Sequence, residues 1–474
     1  VKTRVPSSTL PIAIDRSRSV PITEQITSTL RDAIIEGRIE PGARLPSWLD
    51  MATQLGVARG TVKAAYETLT DELLVFSAGA AGTRVVERPA SRPARAAVEI
   101  ARPLQTMERG FNLAPLPFQM GVPAQDAFPA KIWARMRTRA VRGEAMGLVG
   151  PLDPRGHPEL RAQIASYLAI ARGIRCSPDQ VILTSSYRNG LSLAISTLRA
   201  HGRSAWMEEP GYPMARMAIA LSGMTAVPVP VDAEGIDVAR GIALAPDAAI
   251  AIVTPGQQAP TGVVLSAERR RALLAWAARE NAWIVEDDYL SELQLSGRAA
   301  PALAGEDTGG RVIHVGTFGK TLSPTLGLGF LVAPLSLAAQ FGEVAACLNP
   351  APNSTTQLAL AGFLADGHYL RHLRHMKSLY RTRRDALHAC LGKDFGVEAM
   401  AGLAVLTRLP DGLDDTVLTA RAIEKGICPV PLSAWYDDAA TARHGFLLGV
   451  TNLRPGHLER ACATLKSVIT AGHA

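Results

Sequence analysis

No stretch of this 474-residue chain stays apolar for the roughly eighteen positions a bilayer-spanning helix needs, so a membrane protein is not expected. The five cysteines, Cys176, Cys347, Cys390, Cys428 and Cys462, are scattered, odd in number and form no CxxC pair. A disulfide framework and a zinc site are therefore disfavoured, and free thiols in a reducing, cytoplasmic setting are expected. Residues 1–14 carry one Lys and one Arg but no long apolar core or small-residue cleavage site, unlike a signal peptide. The excess of basic over acidic residues is also small. The formal net charge is +7, and residues 1–110 hold fifteen Lys or Arg against twelve Asp or Glu. Any claim of nucleic-acid binding must therefore rest on arrangement. What is present, 47% hydrophobic and 20% charged residues over a length exceeding one core, is a globular chain of two or three domains.

The first of these spans residues 15–88. Ile22, Ile26, Leu30, Ala33 and Ile34 form a helical stripe ended by Gly37 and Pro41-Gly42. Ser47 can cap a short helix with Asp50 three residues on, as in a capping box, and Ala52 and Leu55 facing inward. After Gly56 a third stripe runs Val62, Ala65, Tyr66, Leu69, with Arg59, Thr61 and Lys63 on its other face. Leu73–Phe76 and Thr83–Val86 read as two short strands around a glycine-containing turn. Two helices joined by a tight turn and followed by a hairpin describe a winged helix-turn-helix, whose third helix would enter the major groove of DNA. From the helix spacing alone, a small helical domain with a solvated basic face is the favoured reading.

Residues 89–110 are rich in Arg and Pro with little apolar periodicity, a stiff and partly extended linker. From residue 111 onward, strand-like runs alternate with helical stripes. The runs are 181–184, 205–207, 226–229, 249–253, 283–286, 312–315 and 329–332, with helices near 189–199 and 267–280. This alternation predicts an α/β fold with a mostly parallel central sheet, whose ligands gather at the carboxyl ends of the strands.

Several motifs fall at those ends. Thr184-Ser185-Ser186-Tyr187 closes a strand and opens a helix, where backbone amides suit a phosphate. Glu208-Glu209-Pro210-Gly211-Tyr212-Pro213 and the loop Pro255 to Gly262 follow two more strands, Asp287-Asp288-Tyr289 another, and Gly316-Thr317-Phe318-Gly319-Lys320 the last. Taken singly, each has a plain explanation as a cap, a loop or a surface lysine. Taken together, a lysine, a carboxylate and a tyrosine at successive strand ends suit a pyridoxal 5'-phosphate site. There the lysine forms the Schiff base and the carboxylate keeps the pyridine nitrogen protonated.

The string from Glu36 to Ser47, with Leu55 to Val62 and Ala65-Tyr66-Glu67, resembles the GntR-type winged-helix DNA-binding domain. The strand-end motifs resemble fold-type I aminotransferases, and the two together resemble the MocR/GabR family of transcriptional regulators. The resemblance implies an aminotransferase-like domain over 111–474, with a large subdomain at about 155–345 and a small one from the remainder. It implies that Lys320 holds pyridoxal phosphate, Asp287 meets the pyridine nitrogen, Tyr289 the phenolic oxygen, and Ser185, Ser186 and Thr317 the phosphate. Tyr212 would line an effector pocket and Arg443, just before the strand-like run 446–450, grip an effector carboxylate. In the head, Arg44 and Thr61 would bind phosphate, Arg59 and Lys63 reach bases, and Arg84 reach the backbone or minor groove.

The departures from this pattern are local. Gly327 stands where the family carries a phosphate-binding arginine, Ser186 where a glycine is usual and Gly319 where a serine is. Arg188 replaces a glutamine, Ala259 an aromatic and Leu290 an aspartate, while Trp48 and Ala58 replace small polar residues in the head. Arg188, one turn into the phosphate-facing helix, is the expected replacement for the missing cation. The expected function is a homodimeric, operator-binding regulator that senses a small amine, an amino acid or a vitamin B6 compound, in the cytoplasm and away from any membrane. The rival readings are an aminotransferase with an N-terminal extension, and a DNA-binding protein whose body is only a dimerisation scaffold.

Overall fold

The computed structural model describes residues 12–17, 20–87, 115–146, 153–295, 299–349, 352–392, 395–401 and 403–472. The chain divides into two compact units that part between Asn112 and Leu113. The expected linker at 89–110 lies outside the described residues.

In the first unit the helix Ile22–Ile35 buries Ile26, Leu30, Ala33 and Ile34, positions spaced to line one helical face. The helix Trp48–Leu55 is capped by the Ser47 hydroxyl, which accepts from the Asp50 amide at 3.1 Å, and it ends on Gly56 at φ 61°. The Asp50 carboxylate accepts from that same hydroxyl at 2.6 Å, so only half of the expected capping box forms. The helix Arg59–Asp71 follows, with Val62, Ala65, Tyr66 and Leu69 buried, and the Tyr66 hydroxyl donates to the Pro46 carbonyl at 2.9 Å. Strand β1 (Val75–Ser77) pairs antiparallel with β2 (Thr83–Val85). The first strand starts later than expected because Leu73 lies in the left-handed region at φ 57° and is exposed. Ile12 joins the buried core of this unit.

Ala58 precedes the third helix with extended backbone and contributes no side-chain cap. Restoring a hydroxyl with Ala58→Ser should raise the stability of the head by about 1 kcal/mol. A higher midpoint for the head's unfolding transition checks this, and an unchanged midpoint would refute it.

In the second unit an eight-stranded sheet has the order β3-β10-β9-β8-β7-β4-β5-β6. Its strands are β3 (Val181–Thr184), β4 (Ser204–Glu209), β5 (Thr225–Asp232), β6 (Gly235–Ile236), β7 (Ile250–Val253), β8 (Trp283–Asp288), β9 (Val312–Thr317) and β10 (Gly329–Val332). Strands β5, β4, β7, β8 and β9 are mutually parallel, and β10 runs antiparallel between β9 and β3. Strands buried on both faces need near-continuous apolar sequence, and β3, β7 and β10 are buried at every position. Strands β11 (Gly396–Ala401), β12 (Ala404–Arg408), β13 (Val430–Pro431) and β14 (Gly445–Gly449) form a separate antiparallel sheet ordered β11-β12-β14-β13. The sequence pattern had singled out only β14 of these four, as 446–450. No helix among the described residues is long and apolar enough to cross a membrane.

Candidate cofactor site and DNA-reading face

The head presents Arg59 and Lys63 on the exposed side of the helix Arg59–Asp71, with Thr61 half-buried between them. Lys63 lies 3.7 Å from Glu67, one turn on. Being exposed, this pair costs little to open. Arg44 and Arg84 face each other across an isolated antiparallel bridge. A Cβ on Gly82 would come within 2.8 Å of Arg44 Nε, so the Arg44 side chain lies along the wing turn. Arg84 is half-buried and donates to the Gly42 carbonyl at 2.8 Å, which ties much of its guanidinium into the fold.

In the body, the ends of five strands converge. Gly329 pairs with Thr184 on one side and Thr317 on the other, so the Ser185-Ser186 turn and the Thr317–Lys320 turn leave the same edge one strand apart. A Cβ on Gly329 would lie 2.9 Å from Thr184 Oγ1 and 3.1 Å from the Ser186 carbonyl carbon; only glycine allows that approach. Ser186 caps the helix Tyr187–Leu198, its hydroxyl oxygen accepting from the Asn189 amide at 3.2 Å. The Thr317 hydroxyl oxygen likewise accepts from the Gly319 amide at 3.0 Å. A hydroxyl that accepts still has its own hydrogen to donate, so both can serve an anion at this helix N-terminus.

Lys320 is half-buried, and its Nζ donates to the Gly121 carbonyl at 3.1 Å. A Cβ on Gly121, which sits at φ 80°, would come 2.5 Å from that nitrogen. Burial holds the ammonium below the ordinary lysine range, with Asp287 opposing the shift and the charge of Arg188 adding to it. Asp287 is buried at the end of β8, and its Oδ1 has no hydrogen-bond partner. Burial pushes its carboxyl well above the ordinary range. The Tyr187 hydroxyl, also buried and without a partner of hydrogen-bonding geometry, stands close enough to offset part of that shift. Tyr212 is raised chiefly by burial, and Arg188 pulls it down; Tyr289 is raised by burial first and then by the charge of Asp287. Arg188 therefore acts electrostatically on both Lys320 and Tyr212 from the second position of its helix. Gly327, at the expected arginine position, closes the turn Pro324–Leu326 at φ 57°.

Arg443 is not brought into this group. It is exposed, four residues before Leu447, which packs in the cluster containing Tyr212 and Tyr289.

Four features escaped the sequence reading: Gly121 as the lysine's partner, Tyr187 beside Asp287, Trp435 against Tyr212, and Glu208. The ring centroids of Tyr212 and Trp435 are 6.0 Å apart. Glu208 is buried and accepts from the Thr254 amide at 2.9 Å, the Thr254 hydroxyl at 2.6 Å and Gln258 Nε2 at 3.2 Å. The only sequence signal for it was a double carboxylate at a strand end. Burial still pushes Glu208 from 4.5 up to about 7 despite those bonds. A carboxyl raised on folding binds its proton more tightly in the native state, so it costs stability as pH rises through that window. The contribution reaches roughly 3 kcal/mol. Glu208→Gln should remove this part of the pH slope, read as denaturation midpoints from about pH 5 to about pH 8. A slope equal to that of the wild type would refute the assignment.

Comparison with known proteins matches this architecture. Residues 117–434 match the family "Aminotransferase class I and II", and residues 22–85 match "Bacterial regulatory proteins, gntR family". The chain is 35% identical to the probable rhizopine catabolism regulatory protein MocR of Rhizobium meliloti, over 97% of this chain and 96% of that one. It is 32% identical to the pyridoxine biosynthesis transcriptional regulator PdxR of Corynebacterium glutamicum, over 98% and 99%. The kynurenine aminotransferase of Pyrococcus horikoshii superposes with a TM-score of 0.69 at 23% identity, covering 80% of this chain and 97% of that one, which speaks to the fold alone. The two domains and the near-full-length relatives together show that this chain belongs to the MocR-type transcriptional regulators, in which a GntR-family DNA-binding head is joined to an aminotransferase class I and II domain.

Proposed function

We propose that this transcriptional regulator holds pyridoxal 5'-phosphate at Lys320 and alters its grip on operator DNA when an amine or a vitamin B6 compound engages that site. The observation that carries the reading is a buried carboxyl, Asp287, whose charge acts on the Lys320 amine and whose Oδ1 has no partner of its own. An orphaned buried oxygen costs free energy unless something donates to it, and a protonated pyridine nitrogen is such a donor. The residues present fit the group: Lys320 and Asp287 at the ring, Tyr289 beside them, and Ser185, Ser186 and Thr317 at the helix end, with Arg188 supplying the cation that Gly327 does not. When bound, pyridoxal phosphate offers an aldehyde to amines and an electron-withdrawing ring. Asp287, whose proton burial favours, can share it with the ring nitrogen, and Tyr212, packed beside Tyr187 and Trp435, would line the site. The chain would act as a homodimer in the cytoplasm, presenting two heads to paired half-sites.

Footprinting of the full chain on DNA upstream of its own gene, with and without pyridoxal phosphate and candidate amines, tests this. Protection that none of them changes would defeat the sensing role. Arg188 has its own test. Removing a charge-assisted contact to phosphate in Arg188→Ala should weaken pyridoxal phosphate binding about 10- to 100-fold, measured by absorbance titration, and unchanged affinity would return the phosphate grip to Ser185, Ser186 and Thr317.

A further inference from the structure

The wall beside Lys320 has one chemical character. Met120, next to the Gly121 that holds the lysine, packs with Ala259, Tyr212, Tyr289, Trp435 and Leu447 in a single apolar cluster. Met120, Tyr212 and Tyr289 keep partly exposed surface, while Ala259, Trp435 and Leu447 are buried. The wall is also fixed in place. Arg216 donates to the carbonyls of Trp435 at 2.8 Å and Tyr436 at 3.0 Å, and the Gly211 amide donates to Trp435 at 3.0 Å. Glu209 accepts from the Asp437 amide at 2.7 Å. A Cβ on Gly449 would meet the Gln119 carbonyl at 2.5 Å, so the segment carrying Met120 lies hard against β14. Arg188 is the one guanidinium among the described residues whose charge acts on both Lys320 and Tyr212, and it stands at the helix end assigned above to a phosphate.

An amine that reaches Lys320 thus brings its remaining atoms against apolar carbon, where a desolvated carboxylate without a cation is costly. Resting on the function proposed above, we infer that the effector of this site is a monoamine with an uncharged, apolar body, not an ω-amino acid. Ala259 sets the room for that body, since its methyl group stands where a larger side chain would fill the wall.

Pentylamine and 5-aminopentanoate have equally long chains and amines of similar basicity, differing in the terminal carboxylate. Each is titrated into the full-length protein loaded with pyridoxal phosphate, with the cofactor absorbance band as the readout. Pentylamine should shift the band at a concentration lower by about tenfold or more, the scale of two buried methylenes. Ala259→Phe should erase that advantage while keeping the band, which also reports that the variant is folded. Equal or better response to 5-aminopentanoate overturns the inference and leaves the cofactor reading standing. A wild-type protein with no Lys320-dependent band overturns that reading, and this inference falls with it.

Discussion

Lys320→Ala should abolish the cofactor absorbance band and lower affinity for pyridoxal phosphate by about 100-fold or more, a loss of nearly 3 kcal/mol. DNA binding by the head should survive. The size follows from what the lysine supplies. It is the one amine among the described residues whose charge acts on the Asp287 carboxyl, and burial holds it below the ordinary lysine range, so more of it is neutral and nucleophilic at neutral pH than of a surface lysine. Its hydrogen bond to the Gly121 carbonyl fixes where the nitrogen stands. Alanine removes the covalent partner and leaves Asp287, Tyr212 and the helix end in place, so residual affinity would report those contacts alone. The footprint of the variant should be insensitive to pyridoxal phosphate and amines at concentrations that change the wild type. A variant that keeps the band, or whose footprint still responds, would remove Lys320 from the centre of the site.

What was legible in the sequence was whatever a short window encodes. The strands β3, β7, β8, β9 and β10 are apolar runs closed by a polar turn, and the motifs at their ends could be read because each occupies a few consecutive residues. The head was legible for the same reason, its three stripes and two glycine turns lying within seventy residues. The rest depends on pairings that no window contains. Gly121 meets Lys320 across 199 residues, and Arg216 reaches Trp435 across 219. Tyr187 looked like one residue of a cap, because nothing local says that its hydroxyl turns inward to Asp287. The surroundings of Arg443 were hidden for a related reason. Its place just before a strand was apparent, but what that strand packs beside follows only from the register, which sets Leu447 opposite Leu406 and Val430.

The far side of β8 should carry the largest stability effect. Side chains alternate along a strand, so Glu286 and Asp288 point away from Asp287 into a buried group with Arg172, His314, Glu292 and Tyr167. Arg172 donates to Asp288 Oδ2 at 2.7 Å and to the Ala300 carbonyl at 2.8 Å, both side chains being almost wholly buried. His314 on β9 sits 3.0 Å from Glu286 and 3.8 Å from Asp288. Burial alone would push the imidazole down, yet Glu286, by charge and by hydrogen bond, outweighs it and holds His314 above its ordinary value. The Tyr167 hydroxyl donates to Glu292 at 2.7 Å, and burial raises Glu292 as well. Arg172→Met keeps much of the stem's volume but strands a buried carboxylate among others, which should cost about 3–5 kcal/mol, a large part of a typical domain's stability. Removing both charges with Arg172→Met and Asp288→Leu together should recover most of that loss, because a buried pair is costly mainly when halved. The pH dependence has a definite sign. A histidine raised on folding stabilises fully below its unfolded value of 6.5, and that contribution disappears as pH climbs through the folded value. Arg172 itself lowers His314, so its loss moves the fall to higher pH. Denaturant midpoints for the single and double variants across that range read all three effects. A single variant as stable as the wild type, or a double variant no better than the single, would mean that the group behind Asp287 is held by packing and not by its charges.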